Sequence, residues 1–213
     1  MKLSLASLFL ALALCTAAIA SGPSTASSSP STFTVKFANF EKNYPYVQPK
    51  GAPVKISFLD FRNDAELVNA AADALADQIP SDTEVFVILG DQANIVGTLI
   101  AQKKNLPWVI INGKESPHGS FAKESYSSIT SGNKTMHINN NIKDVIKGKK
   151  VVVFDDVIST GGTMKAAIKL LKKADVQIRT IMCAFTEENA RSDFEGYNLI
   201  KLGHLDVVPG DNK

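Results

Sequence analysis

Cysteine is nearly absent from this chain of 213 residues, which holds only Cys15 and Cys183. Cys15 lies in an N-terminal apolar run, so removal of that run leaves Cys183 alone and excludes an internal disulfide. Within the apolar stretch "TIMCAF", Cys183 reads as a small buried hydrophobe, not a reactive thiol. Histidine is also scarce: His118, His137 and His204 are scattered without metal-ligand spacing, which argues against a histidine-based metal centre. Neither sign of charge is in excess, since 23 Lys+Arg stand against 21 Asp+Glu for a net charge of +2. That balance argues against nucleic acid or an anionic membrane as the main partner. The single tryptophan, Trp108, opens a predicted strand and is read as a packing residue. Neither G-x-x-x-x-G-K-[ST] nor G-x-G-x-x-G occurs, which removes the P-loop and the dinucleotide-binding turn.

Long apolar runs are missing too, except at the N-terminus. There Lys2 precedes an apolar stretch over residues 3–19 that ends in Ala18, Ile19 and Ala20, the layout of a cleavable signal peptide. The expectation is a signal peptide over residues 1–20 cut after Ala20, and a secreted chain with no membrane attachment afterwards. Residues 21–32, "SGPSTASSSPST", hold six Ser, two Pro and no large apolar side chain, so they read as a flexible tether. A single N-x-[ST] triplet, "NKT" at Asn133, is a candidate glycosylation acceptor that fits export.

What remains, residues 33–213, is long enough for one domain with a substantial core. "PVKISFLDF" reads as a strand, and "NDAELVNAAADALADQI" as an amphipathic helix capped by Asn63 with Glu66 three residues on. "EVFVILG", "WVIIN", "KGKKVVVFDD" and "VQIRTIMCAF" are apolar runs of the kind buried on both faces of a parallel sheet, with helices predicted over residues 95–104 and "MKAAIKLLKKA". Alternation of this kind predicts a single α/β domain with a mostly parallel sheet flanked by helices and ligands at the carboxyl ends of its strands. Residues 113–133 are polar with little periodicity and read as a long functional loop, after which "KTMHI" returns as a strand.

The stretch "VVVFDDVISTGGTMKAA" carries the most chemistry. Four apolar strand residues lead to Asp155 and Asp156, and two spacers lead to Ser159, Thr160, Gly161, Gly162 and Thr163 before a helix begins. Small side chains and closely spaced backbone N–H groups at a helix N-terminus suit a phosphate dianion. Adjacent carboxylates beside a phosphate need another target, which sugar hydroxyls or a magnesium ion would supply.

"VVVFDDVISTGGT" resembles the phosphoribosyl-pyrophosphate (PRPP) binding motif of type I phosphoribosyltransferases. Within that family the chain looks most like the adenine and xanthine (purine) enzymes. "ISFLDF" resembles the adenine enzymes' F-R-D-I segment, "ESYSSITSG" their S-Y-S mobile-loop stretch, and "GYNLIKLGHLDVV" the closing strand of both kinds. The resemblance implies the type I phosphoribosyltransferase fold and transfer of 5-phosphoribosyl from PRPP to a purine base with release of pyrophosphate. By the same resemblance, Asp155 and Asp156 hold the ribose hydroxyls directly or through Mg2+, and residues 159–163 cradle the 5-phosphate. Asp91, Gln92, Ala93 and Asn94 occupy the place of the pyrophosphate loop, Lys114 supplies a cation, and Phe58 and Leu59 contribute to the base pocket. Residues 113–133 would be the lid, and a homodimer is common in the resembling family. No catalytic acid or base is assigned: Ser159 stands where hypoxanthine-guanine enzymes carry a base, and the lid's purine-facing acid falls near Ile129 or Thr130. "GDQAN" carries no basic residue and "NGK" only Lys114, where adenine enzymes carry Arg and an Arg-Lys pair. An alternative therefore stands beside the enzyme: a secreted, noncatalytic PRPP- or nucleotide-binding relative that keeps the phosphate cradle.

Overall fold

The computed structural model describes residues 31–128, 132–187 and 194–211. The expected signal peptide and residues 21–30 of the expected tether lie outside the described residues, as do Ile129 and Thr130.

Five parallel strands form the central sheet: β4 (Val85–Leu89), β5 (Trp108–Ile111), β8 (Lys150–Ile158), β9 (Gln177–Glu187) and β10 (Asn198–Leu205). Their order across the sheet is β10-β9-β8-β4-β5, with every neighbouring pair parallel. The protein is thus an α/β domain, as the run of all-apolar strands predicts: all five residues of β4 are buried. Chain order reverses between β4 and β8. In an open α/β sheet that reversal opens a crevice at the carboxyl ends of the two strands.

Helices α1 (Ala65–Ala76) and α2 (Gln92–Lys103) cover one face, where Leu67, Leu75, Val96 and Ile100 meet Phe86 and Phe154. The opposite face is closed by α4 (Gly162–Lys172), by α3 (Asn140–Ile146), and by β6 (Ser120–Ser128) and β7 (Gly132–Asn139). Ile146, Met136 and Ile138 join Leu170 and Leu171 in that second core.

Two expectations change. Residues 113–133 do not form a loop throughout, because β6 and β7 pair antiparallel from Ser120↔Asn139 to Ser128↔Gly132. Burial alternates weakly along β6, so the strand pattern is faint in sequence; the pairing with "KTMHI" decides it. The helix cap also moves from Asn63 to Asp64, whose carboxylate accepts from the Leu67 N–H at 3.1 Å, while the Asn63 side chain donates to Asp60 at 2.6 Å. An aspartate in place of an asparagine adds charge at the positive end of the helix.

A second, smaller sheet was not expected beyond its "PVKISF" strand. β1 (Thr32–Phe37), β2 (Phe40–Val47), β3 (Val54–Ser57) and β11 (Val207–Pro209) lie in that order. β1 begins inside the expected tether, at Thr32. Val35, Phe37 and Phe40 bury themselves in the α1 side core, and Phe37 meets Phe185 of β9 edge-on at 5.9 Å. This packing carries the end of β3 toward the carboxyl edge of the parallel sheet.

Candidate functional site

The site grows from the end of β8. The strand continues through Asp155 and Asp156 to Ile158, and the chain then turns through residues 159–161 into α4. Gly161 occupies the helix N-cap position with φ +75°, a left-handed conformation that glycine adopts without steric cost. No side chain caps this helix end, so its first N–H groups face the cavity for a ligand.

That cavity, about 460 Å³, spans the carboxyl ends of β4, β8 and β9. Asp155, Asp156 and all five residues of the Ser159-to-Thr163 turn line it, as do Asp91, Gln92, Phe58 and Leu59. The remaining expected residues lie off its wall. Ala93 is fully buried in the α1 side core, and the Asn94 side chain accepts from the Thr98 hydroxyl at 3.0 Å. Lys114 takes no part in the lining; its backbone N–H donates to the Asn112 side chain at 2.9 Å. Helix α2 starts at Gln92, earlier than the predicted 95, and this winds Ala93 and Asn94 away from the crevice.

The structure adds residues that the sequence reading left out. Arg62 arrives from the segment before α1, Tyr126 and Lys134 from facing positions on β6 and β7, and Glu187 from the end of β9. Each had a signal. Tyr126 is the centre of the S-Y-S stretch, Lys134 sits inside the glycosylation triplet, and Glu187 obeys the same strand-end rule as the aspartates. Asn133 is exposed on β7 opposite Ser127.

Electrostatics follow from burial. Desolvation, then the charge of Asp156, pushes the Asp155 carboxyl well above the ordinary carboxylate range. Asp156 is raised as well, chiefly by burial, while Arg62 is among the groups that hold it down. The Asp156 N–H donates to Asp155 Oδ1 at 3.1 Å. Burial also raises the Tyr126 hydroxyl, the negative charge of Asp155 adds to this, and a hydrogen bond with Thr163 opposes it. Cys183, beside Asp155 in the strand register, is fully buried and its thiol is pushed up by desolvation, so it is the inert packing residue expected. His137 is a core residue whose Nδ1 lies 3.0 Å from Ser120 Oγ, whereas Trp108 is 40% exposed on the edge strand and does not pack as expected. Among the described residues there is no cluster of three or more His, Cys, Asp or Glu able to hold a metal by themselves. No helix among them is long and apolar enough to cross a membrane.

A phosphate turn, a carboxylate pair and a crevice at the reversal of strand order form one arrangement, and the model of the phosphoribosyl transferase domain family matches residues 70–201. The chain belongs to the phosphoribosyl transferase domain family. It is 38% identical over 122 residues to a hypoxanthine/guanine phosphoribosyltransferase of Methanocaldococcus infernus, a match covering 54% of this chain and 62% of that protein. A protein of the same name from Methanococcus maripaludis strain C5 is 33% identical over 135 residues, covering 61% of this chain and 70% of that one. The chain thus spans less than two thirds of the Methanocaldococcus infernus relative. Among solved structures, the adenine phosphoribosyltransferase of Rhodothermus marinus shares the fold with a TM-score of 0.59 and 21% identity, covering 82% of this chain and 94% of that chain. The Trypanosoma brucei adenine phosphoribosyl transferase, solved with AMP, pyrophosphate and ribose-5-phosphate, gives a TM-score of 0.57 at 19% identity, covering 68% and 67% of the two chains.

Proposed function

We propose that the protein transfers a 5-phosphoribosyl group from PRPP to a purine base, releasing pyrophosphate. One observation carries this reading: a single cavity gathers the Ser159-to-Thr163 turn, the Asp155–Asp156 pair and the cations Arg62 and Lys134. The comparisons support a purine as acceptor, and they leave the base open, since the relatives are named for hypoxanthine/guanine and the fold neighbours for adenine.

In this reading the unoccupied N–H groups at the start of α4 take the 5-phosphate. Asp155 and Asp156 accept hydrogen bonds from the ribose 2- and 3-hydroxyls. Arg62 and Lys134 neutralise the departing pyrophosphate, which answers the want of a basic residue in the β4–α2 turn. The anomeric carbon loses its bond to the pyrophosphate oxygen and gains one to a purine ring nitrogen, through an oxocarbenium-like transition state. The proton on that nitrogen leaves to solvent or to the product anion. Because the β6–β7 hairpin lies against the phosphate turn, it would shield that carbon from water. Two adjacent carboxylates raised by burial are the kind of donor set that shares Mg2+ with a substrate's own oxygens. Bound there, Mg2+ would add positive charge at the leaving group.

Purified protein with Mg2+, PRPP and each purine in turn, followed by pyrophosphate release, tests transfer. Turnover with at least one base is expected. Donor binding without turnover on any base would reject transfer and leave the noncatalytic binder, a reading favoured by the absence of a basic residue in "GDQAN". Export is part of the proposal, with cleavage after Ala20 and Asn133 as an available acceptor. N-terminal sequencing of protein collected outside secreting cells should begin at Ser21, and an intact Met1 would refute it.

A further inference from the structure

The cavity has an end that neither phosphate occupies. The 5-phosphate takes the turn after β8, and Asp91 and Gln92 mark the pyrophosphate side at the end of β4. The same lining also holds Phe58 and Leu59, which follow β3, and Glu187 at the end of β9. Phe58 is 41% exposed there, a large aromatic face held open where a planar base would cover it. Glu187 is only partly exposed, and its carboxylate has no hydrogen-bond or ion-pair partner among the described residues. The nearby cation is already engaged: Lys201 Nζ donates to Thr186 Oγ1 at 2.8 Å.

We infer that Glu187 reads the edge of the purine and selects 6-oxopurines, guanine above all, over adenine. The inference rests on the proposed purine transfer at this site. A carboxylate only accepts hydrogen bonds. Guanine presents two adjacent donors, N1–H and the 2-amino group, which match both carboxylate oxygens. Hypoxanthine presents N1–H alone. Adenine sets its N1 lone pair beside the single 6-amino donor, so one carboxylate oxygen would face a lone pair. A site built for a donor rejects an analogue without it strongly, because its own polar group is left unpaired. Phe58 stacks on any purine and so contributes affinity without discrimination.

The test compares kcat/KM for guanine, hypoxanthine and adenine, and binding of GMP and AMP, in the wild type and in Glu187→Gln. A preference for guanine over adenine of about 100-fold or more is expected. In the variant, an amide that donates as well as accepts should cut guanine kcat/KM by about 100-fold and leave adenine equal or better, with melting temperature unchanged. A wild type that prefers adenine, or a variant that loses all bases and PRPP alike, overturns the role of Glu187 while leaving transfer intact. If no base turns over, transfer fails, but the ratio of GMP to AMP binding and its collapse in Glu187→Gln still decide this inference. Equal GMP and AMP binding by the wild type would reject it.

Discussion

The backbone oxygen of Ser127 lies 2.9 Å from where a Cβ on Gly162 would stand. The β6–β7 hairpin therefore rests directly on the first turn of α4, and a glycine is required for the two to meet. Tyr126, one residue back, reaches Thr163 on the next position of that helix. Hairpin and phosphate turn thus form one wall of the cavity.

Gly162→Ala should part them. A methyl group against backbone oxygen forces a shift, costing about 1–3 kcal/mol, and PRPP affinity should fall at least about tenfold as the turn is displaced. Thermal melting and calorimetric titration with PRPP check both. An unchanged affinity would mean that the hairpin does not help to shape the cradle.

Asp155 predicts a stability that falls as pH rises. Its native carboxyl is held well above the ordinary value of 3.8 by burial and by Asp156. Near pH 3 both folded and unfolded chains hold this proton; as pH climbs from 3.8 through the raised native value the unfolded chain releases it first, so this group's contribution to stability is lost across that window. Asp155→Asn should raise the unliganded protein's stability at pH 7 by about 0.5–2 kcal/mol, with a smaller gain near pH 4, and should abolish PRPP binding. Melting curves at the two pH values and donor titration provide the check. Equal donor binding would remove Asp155 from the sugar site.

Arg62 and Lys134 should distinguish the two halves of the donor. Arg62→Ala and Lys134→Ala are each expected to weaken PRPP binding by about 10–100-fold, the cost of one charged hydrogen bond, while ribose 5-phosphate binding changes by less than about threefold. Parallel titrations with the two ligands decide it. Equal losses on both would place these cations at the 5-phosphate instead.

Asp64 ties the small sheet to α1. It caps the helix at Leu67, accepts from the Tyr44 hydroxyl at 2.7 Å and pairs with Lys42 at 3.0 Å. Burial pushes its carboxyl up, but the bonds from the Leu67 N–H, Tyr44 and Lys42 outweigh this and leave it below the usual range. Its contribution is present above pH 3.8 and lost as pH falls below it. Asp64→Ala should cost about 1–2 kcal/mol at pH 7 and less at pH 3, measured by denaturant unfolding. A loss that does not shrink at low pH would assign the effect to packing.

Residues close in sequence made half of the site legible. "VVVFDDVISTGGT" holds a buried strand, its terminal acids, the phosphate turn and the helix start within 13 consecutive positions, so spacing alone fixes their relation in space. The inner strands of the parallel sheet were equally legible, because β4 and most of β8 and β9 are apolar runs buried on both faces. The other half is assembled across long separations: Arg62 before α1, Lys134 on β7 and Glu187 at the end of β9 meet only because β4, β8 and β9 are neighbours at their carboxyl ends. Lys114 shows the converse, since it follows a sheet strand as the site residues do, yet β5 lies at the sheet edge, one strand beyond the reversal. By itself the sequence determined an α/β domain with two acids and a small-residue turn at a strand end, since those features depend on local period and backbone geometry. Only tertiary structure decided which distant charges complete the cavity, because strand order and the docking of the hairpin and small sheet arise from burial of apolar faces that sequence spacing does not encode.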